Sequence, residues 1–189
     1  HGKSMLIDSP AILESEEIKK ALMKTDYNYE LSKLWKKIDI AMCGIGSPLI
    51  SKHSNWQGFY ADNLLESLKE KNVSGDILSR FYDIKGKVLD TIISKKMIGA
   101  DLSDLKRASY SIGVAESLDK TAGILGALRG KYINVLVTTE ETAKAVLEMN
   151  KEKNLEEKHK EKGIIFLSIS GLREDILENY IDKNIKKIY

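Results

Sequence analysis

The sequence predicts an α/β fold in which helices flank a parallel sheet. Residues 38–43 form an apolar run that ends in a glycine-containing turn at 44–48, which is typical of a buried strand. Residues 109–115, 119–129 and 132–138 have the patterns of a strand, a helix and a second strand. Such a unit joins two parallel strands, and a right-handed crossover between them is expected.

Helical patterns surround these strands, with apolar residues at helical spacing and charges on the opposite side. The segments that show this pattern are 15–24, 28–37, 61–71 and 140–150. Residues 73–90 contain two apolar-rich runs. They predict a short helix or strand followed by a hairpin-like excursion, with Gly86 in the turn.

The C-terminal part has a different composition. Residues 151–162 are almost entirely charged, which predicts a helical extension or a solvated linker. Residues 163–169 predict one more buried strand, and a final helix is expected after it. The apolar residues of that helix are Leu172, Ile176, Leu177, Tyr180, Ile181 and Ile185.

Length and charge limit the class of protein. A chain of 189 residues suits one domain, and 42% hydrophobic residues with a net charge of +2 exclude a disordered chain and a strongly basic nucleic-acid-binding domain. No apolar run approaches the ~18 residues of a membrane span, and no signal-peptide core is present, so a cytoplasmic protein is expected. Because position 1 is not Met, we expect the N-terminus to be a fragment boundary, the edge of an expressed segment or a tag scar.

Residues for metal, cofactor or covalent chemistry are scarce. Cys43 is the single cysteine, so no internal disulfide or zinc cluster is expected, and its place at the end of an apolar strand predicts a core thiol. The histidines, His1, His53 and His159, lie in a terminus, a polar loop and a charged run. The sequence has no Gly-x-Ser-x-Gly, Walker or His-Glu-x-x-His motif, so it indicates neither catalysis nor a cofactor.

Ligand binding is expected where parallel strands end, because loops and helix N-termini meet there. Three loops follow predicted strands, at 44–47, 116–120 and 138–142. We call these three loops together the crest. Thr138 and Thr139 in the last loop either cap the following helix, which is the commoner role, or donate hydroxyl groups to a ligand.

Lys120 is the most informative residue of the crest. It falls in the first turn of a predicted helix, where a cation opposes the helix dipole by a few tenths of a kcal/mol unless an anion shares the site. An anionic ligand would reverse that sign. The alternative is that Lys120 points to solvent while Asp119 caps the helix.

The sequence does not decide the role of two other groups of residues. Gly44 and Gly46 allow close backbone approach, but Leu49 stands where a dinucleotide fingerprint needs its third glycine. Arg80 with Asp76 and Asp83 predicts either a ligand-facing polar cluster or an ion pair on a surface hairpin.

Several segments carry a family resemblance as an ordered set. They are Leu6–Ala11, Asp39–Ser47, Val73–Gly86, Ile112–Lys120 and Ala127–Ala143. In order and spacing, over roughly residues 5–148, they resemble the sugar-binding domain of SorC-type transcriptional regulators. That group includes the deoxyribonucleoside regulators and the central glycolytic gene regulator.

The resemblance implies a Rossmann-like fold related to phosphosugar isomerases but used for sensing, with a phosphorylated sugar as effector. In the family an N-terminal helix-turn-helix domain binds operator DNA, and the effector alters oligomerisation and DNA affinity. A homo-oligomer is therefore expected. The helix-turn-helix module and the Gly/Thr-rich phosphate loop that opens the effector domain have no counterpart in this sequence.

The resemblance also assigns residues. Lys120 matches the family lysine near the phosphate, Asp76 and Arg80 match polar positions of its Gly-Asp…Arg-Phe segment, and Gly44 with Gly46 match the loop after a sheet strand. Two departures concern the same site. Glu116-Ser117 replaces a Gly-Gly pair, which brings Ser117 into the expected ligand site and a carboxylate close to the phosphate, and Thr139 replaces an Asp.

Residues 1–150 are thus expected to form an N-terminally truncated sugar-phosphate effector domain, with 151–189 as a charged helix or linker plus a strand–helix extension. The main functional hypothesis is a regulatory sensor. The alternative is a phosphosugar isomerase-like enzyme, whose general base would be Asp76, Asp83 or Glu116. A third reading is a segment that acts only in subunit association.

Overall fold

The computed structural model describes residues 2, 4–48, 71–153 and 165–168. Helices and strands alternate in the predicted manner. In chain order they are α1 (Glu16–Leu22), α2 (Asp26–Trp35), β1 (Ile40–Gly44), β2 (Gly75–Ile77), β3 (Arg80–Tyr82), α3 (Ile92–Lys96), α4 (Leu102–Arg107), β4 (Tyr110–Val114), the 3-10 turn η1 (Leu118–Lys120), α5 (Thr121–Arg129), β5 (Val135–Thr138), α6 (Glu140–Lys153) and β6 (Ile165–Ser168).

The main sheet has the strand order β1-β4-β5-β6, and each neighbouring pair is parallel. The predicted α/β fold with a parallel sheet is therefore confirmed. The predicted strand at 163–169 is confirmed as β6, which pairs with β5 from Val135–Ile165 to Thr138–Ser168. Because the sheet is parallel, all four strands end at the same edge, which is the edge that carries the crest.

The hydrophobic core lies on one face of this sheet, which we call the inner face. Ala41 and Cys43 of β1 and Leu136 of β5 point to it, and all three are buried. Helix α5 covers it with Ile124, which is fully buried, and α6 adds Val146. Burial of a Leu, Ile or Val side chain contributes roughly 1.5–3 kcal/mol to stability, so this layer holds α5 and α6 on the sheet.

Residues 73–90 form a hairpin followed by a second turn. Strands β2 and β3 are antiparallel and are joined by Leu78 and Ser79, which both have positive φ, at 53° and 54°. That pair of angles is the type I′ pattern of two-residue hairpins. Gly86 lies in the second turn, with φ +77°, where its N–H donates to the carbonyl of Asp83 at 2.9 Å. The strand alternative and the turn position of Gly86 are both confirmed.

Helix α5 approaches the hairpin closely because glycines face each other. A Cβ on Gly75 would lie 2.6 Å from Cα of Gly123, and a Cβ on Gly126 would lie 2.6 Å from the carbonyl oxygen of Asp83. The hydroxyl of Tyr82 donates to the carbonyl of Gly123 at 3.1 Å. The spacing of Gly123, Gly126 and Gly130 along the helix was the sequence signal for this packing, which the pattern analysis did not use.

Some predictions differ from the structure or lie beyond it. Helices α3 and α4 were not predicted. Helix α6 runs across the expected boundary at residue 150 as far as Lys153. The domain division, the handedness of the crossovers and the relation to phosphosugar isomerases stay predictions. The histidines, the helix at 61–71, residues 154–162 and the final helix lie outside the described residues.

Candidate functional site

The three loops of the crest meet, as predicted. The hydroxyl of Ser47 donates to the carbonyl of Asp119 at 2.9 Å, which joins the first loop to the second. The backbone N–H of Ser117 donates to Oγ1 of Thr142 at 3.1 Å, which joins the second loop to the third. The three loops are therefore linked by hydrogen bonds, so a ligand bound at one loop would also affect the other two.

The hairpin also reaches the crest, through Gly46 and Asp76. The N–H of Gly46 donates to the carbonyl of Asp76 at 2.9 Å, and the N–H of Asp76 donates back at 3.4 Å. A Cβ on Gly46 would lie only 1.9 Å from Oδ1 of Asp76, so glycine is needed for the carboxylate to lie here. Gly44 has no neighbour within 4 Å of its Cβ position, so the two glycines are not equivalent.

Asp76 is a half-buried carboxyl whose charge is partly compensated. Burial raises the pKa of Asp76 above its ordinary value of 3.8, while the N–H of Ser79 and the positive charge of Lys120 act in the opposite direction. The Ser79 N–H donates to Oδ2 of Asp76 at 3.2 Å. The structure thus places the Asp76 carboxyl group against Gly46 and near enough to Lys120 for the lysine charge to act on it.

The raised pKa of Asp76 gives a testable pH dependence. A folded-state pKa above 3.8 means that the folded chain holds this proton more tightly than the unfolded chain. The contribution to stability is therefore complete below the unfolded pKa and is lost as pH rises through the folded one. We expect Asp76→Asn to be as stable as the parent chain at low pH and more stable at neutral pH, when both are unfolded in urea between about pH 3.5 and 7.5.

Asp39→Asn is the matched control, since Asp39 is exposed. As an exposed surface substitution it should change the free energy of unfolding by less than about 0.5 kcal/mol. A less stable Asp76→Asn chain at neutral pH would contradict the prediction and show that attraction to Lys120 outweighs the burial of the carboxylate.

Lys120 lies where the chain passes from η1 into α5. It is half-buried, it occupies the N-cap position of α5, and its backbone N–H donates to the carbonyl of Ser117 at 3.0 Å. Helix α5 has no acidic residue in its first turn and no side-chain hydrogen bond at its cap. The N–H groups of Lys120 and Thr121 already donate to the carbonyls of Ser117 and Leu118, so it is the helix dipole and the Lys120 amine that favour an anion at this end of the helix.

Ser117 adopts an unusual backbone conformation. Its φ is +111°, a region that costs most residues other than glycine about 1–3 kcal/mol. The hydroxyl of Ser117 accepts a hydrogen bond from the N–H of Asp119 at 3.3 Å. The alternative in which Asp119 caps the helix is therefore wrong, because Ser117 is the capping residue of η1. A role of Ser117 in ligand binding stays a prediction.

The side-chain partners of Arg80 lie outside the three crest loops. Its guanidinium is buried and its Nε pairs with Oδ1 of Asp101 at 2.9 Å. Its other nitrogens donate to the carbonyls of Leu78 and Gly99, each at 3.3 Å. The interpretation as a surface ion pair with Asp76 or Asp83 is wrong, since the partner is Asp101 and the arginine is buried. A direct role in ligand binding stays a prediction.

The two threonines that begin the third crest loop differ in their hydrogen bonds. Thr139 caps α6, as its Oγ1 accepts from the N–H of Thr142 at 3.3 Å, which confirms the capping role. The neighbouring hydroxyl of Thr138 is buried without a hydrogen-bond partner. Burial raises the pKa of the Cys43 thiol to about 11, and the predicted core thiol is confirmed.

The described ranges contain no group of three His, Cys, Asp or Glu side chains placed to hold a metal ion. In the same part of the chain, no helix combines the length and the apolar character that crossing a membrane requires.

Comparison with known proteins decides the family. The family model Sugar-bind, described as "Putative sugar-binding domain", matches residues 1–148. The chain belongs to this family. The sorbitol operon regulator of Klebsiella pneumoniae is 43% identical over 146 residues, which cover 77% of this chain and 46% of the regulator. The deoxyribonucleoside regulator of Bacillus subtilis is 32% identical over 138 residues, covering 73% of this chain and 44% of that protein.

The fold of the sugar-binding domain agrees as well. The crystal structure of the full-length sorbitol operon regulator SorC from Klebsiella pneumoniae superimposes with a TM-score of 0.72, over 76% of this chain and 46% of that one. This chain therefore spans less than half the length of these relatives. The expected resemblance to SorC-type regulators is confirmed. Because the relatives are named as regulators, the comparisons support a regulatory domain and not the isomerase-like alternative.

Proposed function

We propose that this sugar-binding domain senses a phosphorylated sugar at the crest, as the effector-binding part of a SorC-type transcriptional regulator of carbohydrate genes. The observation that carries the proposal is the position of Asp76, which lies against Gly46 and near enough to Lys120 for the lysine charge to act on its carboxyl group. An amine at an acid-free helix N-terminus suits a phosphate, and a half-buried carboxylate suits sugar hydroxyl groups.

The surroundings of Lys120 set the strength of such binding. Glu116 and Asp119 are exposed neighbours in the same loop, and both oppose a doubly negative ligand. Their side chains are exposed, so solvent screens their charges, whereas Lys120 is half-buried. We therefore assign the phosphate to Lys120, at the N-terminal end of α5.

The partners of the whole regulator follow from the relatives. The names of two relatives refer to the sorbitol operon and to deoxyribonucleosides, both of which involve sugars or sugar alcohols. For this chain we propose a phosphorylated sugar effector, operator DNA bound through an N-terminal helix-turn-helix, a homo-oligomeric assembly and a cytoplasmic location. A net charge of +2 is consistent with a domain that does not itself bind DNA.

The connected loops suggest how the effector acts. A ligand between Lys120 and Asp76 contacts the second loop of the crest and the hairpin at once. The hydrogen bonds from Ser47 to Asp119 and from Ser117 to Thr142 link those parts to β1 and α6. Binding would therefore stiffen the crest as a unit, which is a way for a small ligand to alter distant contacts of the domain.

The test is a binding panel with the full chain. We expect a sugar phosphate to raise the melting temperature with increasing concentration, and isothermal titration to show saturable binding that the unphosphorylated sugar and inorganic phosphate do not match. Lys120→Ala should weaken that binding at least tenfold, about 1.4 kcal/mol. Lys85→Ala, at an exposed lysine on the second turn, is the control and should bind normally.

Equal binding of the phosphorylated and unphosphorylated sugar would count against the phosphate, and an unchanged affinity in Lys120→Ala would remove Lys120 from the site. Formation of an isomerised sugar phosphate in the same mixtures would overturn the sensor assignment in favour of an enzyme.

A further inference from the structure

One buried hydroxyl group at the end of β5 has no partner. Thr138 is 2% exposed, and in the part of the chain that the structure describes its Oγ1 is the only buried side-chain oxygen or nitrogen without a hydrogen bond. Buried polar side-chain atoms in native proteins almost always have a partner, so an exception needs an explanation. An unpaired hydroxyl group in a buried position lowers stability, whereas an apolar side chain of the same shape would not.

Two other buried hydroxyl groups show how such a group is normally paired. Ser111 of β4 is buried and its hydroxyl donates to the carbonyl of Tyr132 at 2.6 Å. Thr121, at the start of α5, is also buried, and its hydroxyl donates to the carbonyl of Leu118 at 2.7 Å. The hydroxyl of Thr138 has no such acceptor, so packing within the fold does not account for it.

The side chain of Thr138 points to the inner face of the sheet. Successive side chains of a strand alternate in direction, and Leu136, two residues earlier in β5, is buried on that face. Helix α5, which has Lys120 at its N-cap, covers the same face. The Thr138 hydroxyl and the N-terminal end of α5 therefore lie at one edge and on one side of the sheet.

The second crest loop runs beside the end of β5. The N–H of Ala115 donates to the carbonyl of Val137 at 3.1 Å, and the N–H of Ser117 donates to Oγ1 of Thr142 at 3.1 Å. Residues 116–119 are all exposed, and the loop contains only the short 3-10 turn η1. Segments with few buried contacts open at low cost in free energy, so this loop is the part of the crest that moves most easily.

We infer that Thr138 is a specificity residue of the effector site, whose hydroxyl pairs with a sugar hydroxyl group when the second crest loop moves aside. The inference rests on the proposed function, in which Lys120 holds the phosphate. A threonine hydroxyl can both donate and accept, which is what a sugar hydroxyl requires. A buried site of this kind discriminates strongly against an analogue that lacks the oxygen, because its own polar group is then left unpaired.

The charges of the two helices that begin at the crest support this orientation of the effector. Helix α5 has Lys120 at its N-cap and no acidic residue in its first turn, whereas α6 begins with Glu140 and Glu141. Carboxylates repel a phosphate, so the phosphate lies at α5 and not at α6. The end of the effector that reaches β5 and α6 is therefore its neutral, hydroxyl-bearing carbon chain.

Variants of the full chain test the inference. Thr138→Val removes the hydroxyl but keeps the shape, so without ligand we expect its melting temperature to rise by about 2–4 °C. Isothermal titration with glucose 6-phosphate, fructose 6-phosphate and ribose 5-phosphate identifies a probe that the parent chain binds. Thr138→Val should bind that probe at least tenfold more weakly, while Thr138→Ser, which keeps the hydroxyl, should bind it as the parent chain does.

Ser111→Ala is the matched control, because it removes a buried hydroxyl that has a partner on the same sheet face. It should lower the melting temperature and leave the affinity for the probe unchanged. A melting temperature of Thr138→Val at or above that of the parent chain, together with at least tenfold weaker binding, would support the inference.

A Thr138→Val chain that melts below the parent chain would overturn the inference, because the hydroxyl would then serve the fold as that of Ser111 does. Binding weakened less than tenfold in Thr138→Val, or weakened equally in Thr138→Ser, would overturn it as well, since the hydroxyl would not be what the effector contacts. If the parent chain bound none of the three probes, the proposed function would fail and this inference with it. In the other outcomes the parent chain binds a probe, so the two failures are distinguishable.

Discussion

Gly86→Ala is expected to lower the free energy of unfolding by about 3 kcal/mol, a large part of the 5–15 kcal/mol typical of a domain. Gly86 has φ +77°, and a Cβ there would lie 2.2 Å from the backbone nitrogen and 2.4 Å from Cα of Gly130. Overpacking of this kind costs roughly 1–3 kcal/mol, and a left-handed conformation adds about 1–2 kcal/mol for a residue with a side chain. Unfolding in urea, followed by circular dichroism, measures the difference.

Gly44→Ala is the matched control for Gly86→Ala. Gly44 has no neighbour within 4 Å of its Cβ position, so this substitution should change the free energy of unfolding by less than about 0.5 kcal/mol. If the two variants were equally stable, the close packing of the second turn against the end of α5 would have no energetic importance. The glycine contacts described above could not then be what positions α5 at the crest.

The main sheet was predictable because each of its strands is a short apolar run next to a turn signal. The runs that became β1, β4, β5 and β6 stand out in the sequence without help from distant residues. Helices α3 and α4 were missed because they have only 5 and 6 residues, too few for a helical period. Their signals are local caps, such as the hydrogen bond at 3.1 Å from the N–H of Ser94 to Oγ1 of Thr91.

The site was predictable in part. Parallel strands bring their loops to one edge, so the meeting of the three crest loops followed from the strand pattern alone. The contact between Asp76 and Gly46 did not follow from the strand pattern, because the two residues lie on different elements. The local pattern around the hairpin is equally typical of a surface turn. The local pattern left the role of Asp76 open, and the family resemblance favoured it as a ligand residue no more than Arg80, whose guanidinium the structure places with Asp101.

Ser117 stands where the family has a glycine, and its backbone conformation is one that favours glycine. The resemblance places a glycine pair at Glu116-Ser117, and the structure gives Ser117 a φ of +111°, which glycine adopts at little cost. The backbone has therefore kept the conformation that the glycine allowed. The serine hydroxyl bonds to the N–H of Asp119 and its own N–H bonds to Thr142, and these two bonds offset part of the strain.

Arg80→Met is expected to lower the free energy of unfolding by about 2–4 kcal/mol. The guanidinium is buried and donates to the carbonyls of Leu78 and Gly99 in partly buried hydrogen bonds, and a hydrogen bond that involves a charged group contributes about 1.5–3 kcal/mol. The turn at Leu78 and Ser79 has two positive φ values without glycine, so it depends on such bonds. Urea unfolding at neutral pH measures the loss.

Asp101→Asn separates the ion pair from the hydrogen bonds. The Asp101 side chain is 67% exposed, so its attraction to Arg80 is screened, and an amide oxygen can still accept from Nε. We expect this variant to lose less than about 1 kcal/mol. Equal losses in the two variants would mean that the charge pair, and not the carbonyl bonds, stabilises the hairpin. If Arg80→Met were as stable as the parent chain but bound the effector more weakly, Arg80 would be a ligand-binding residue, as the family resemblance implies. The arginine would then contribute to effector binding and not to the stability of the turn next to Asp76.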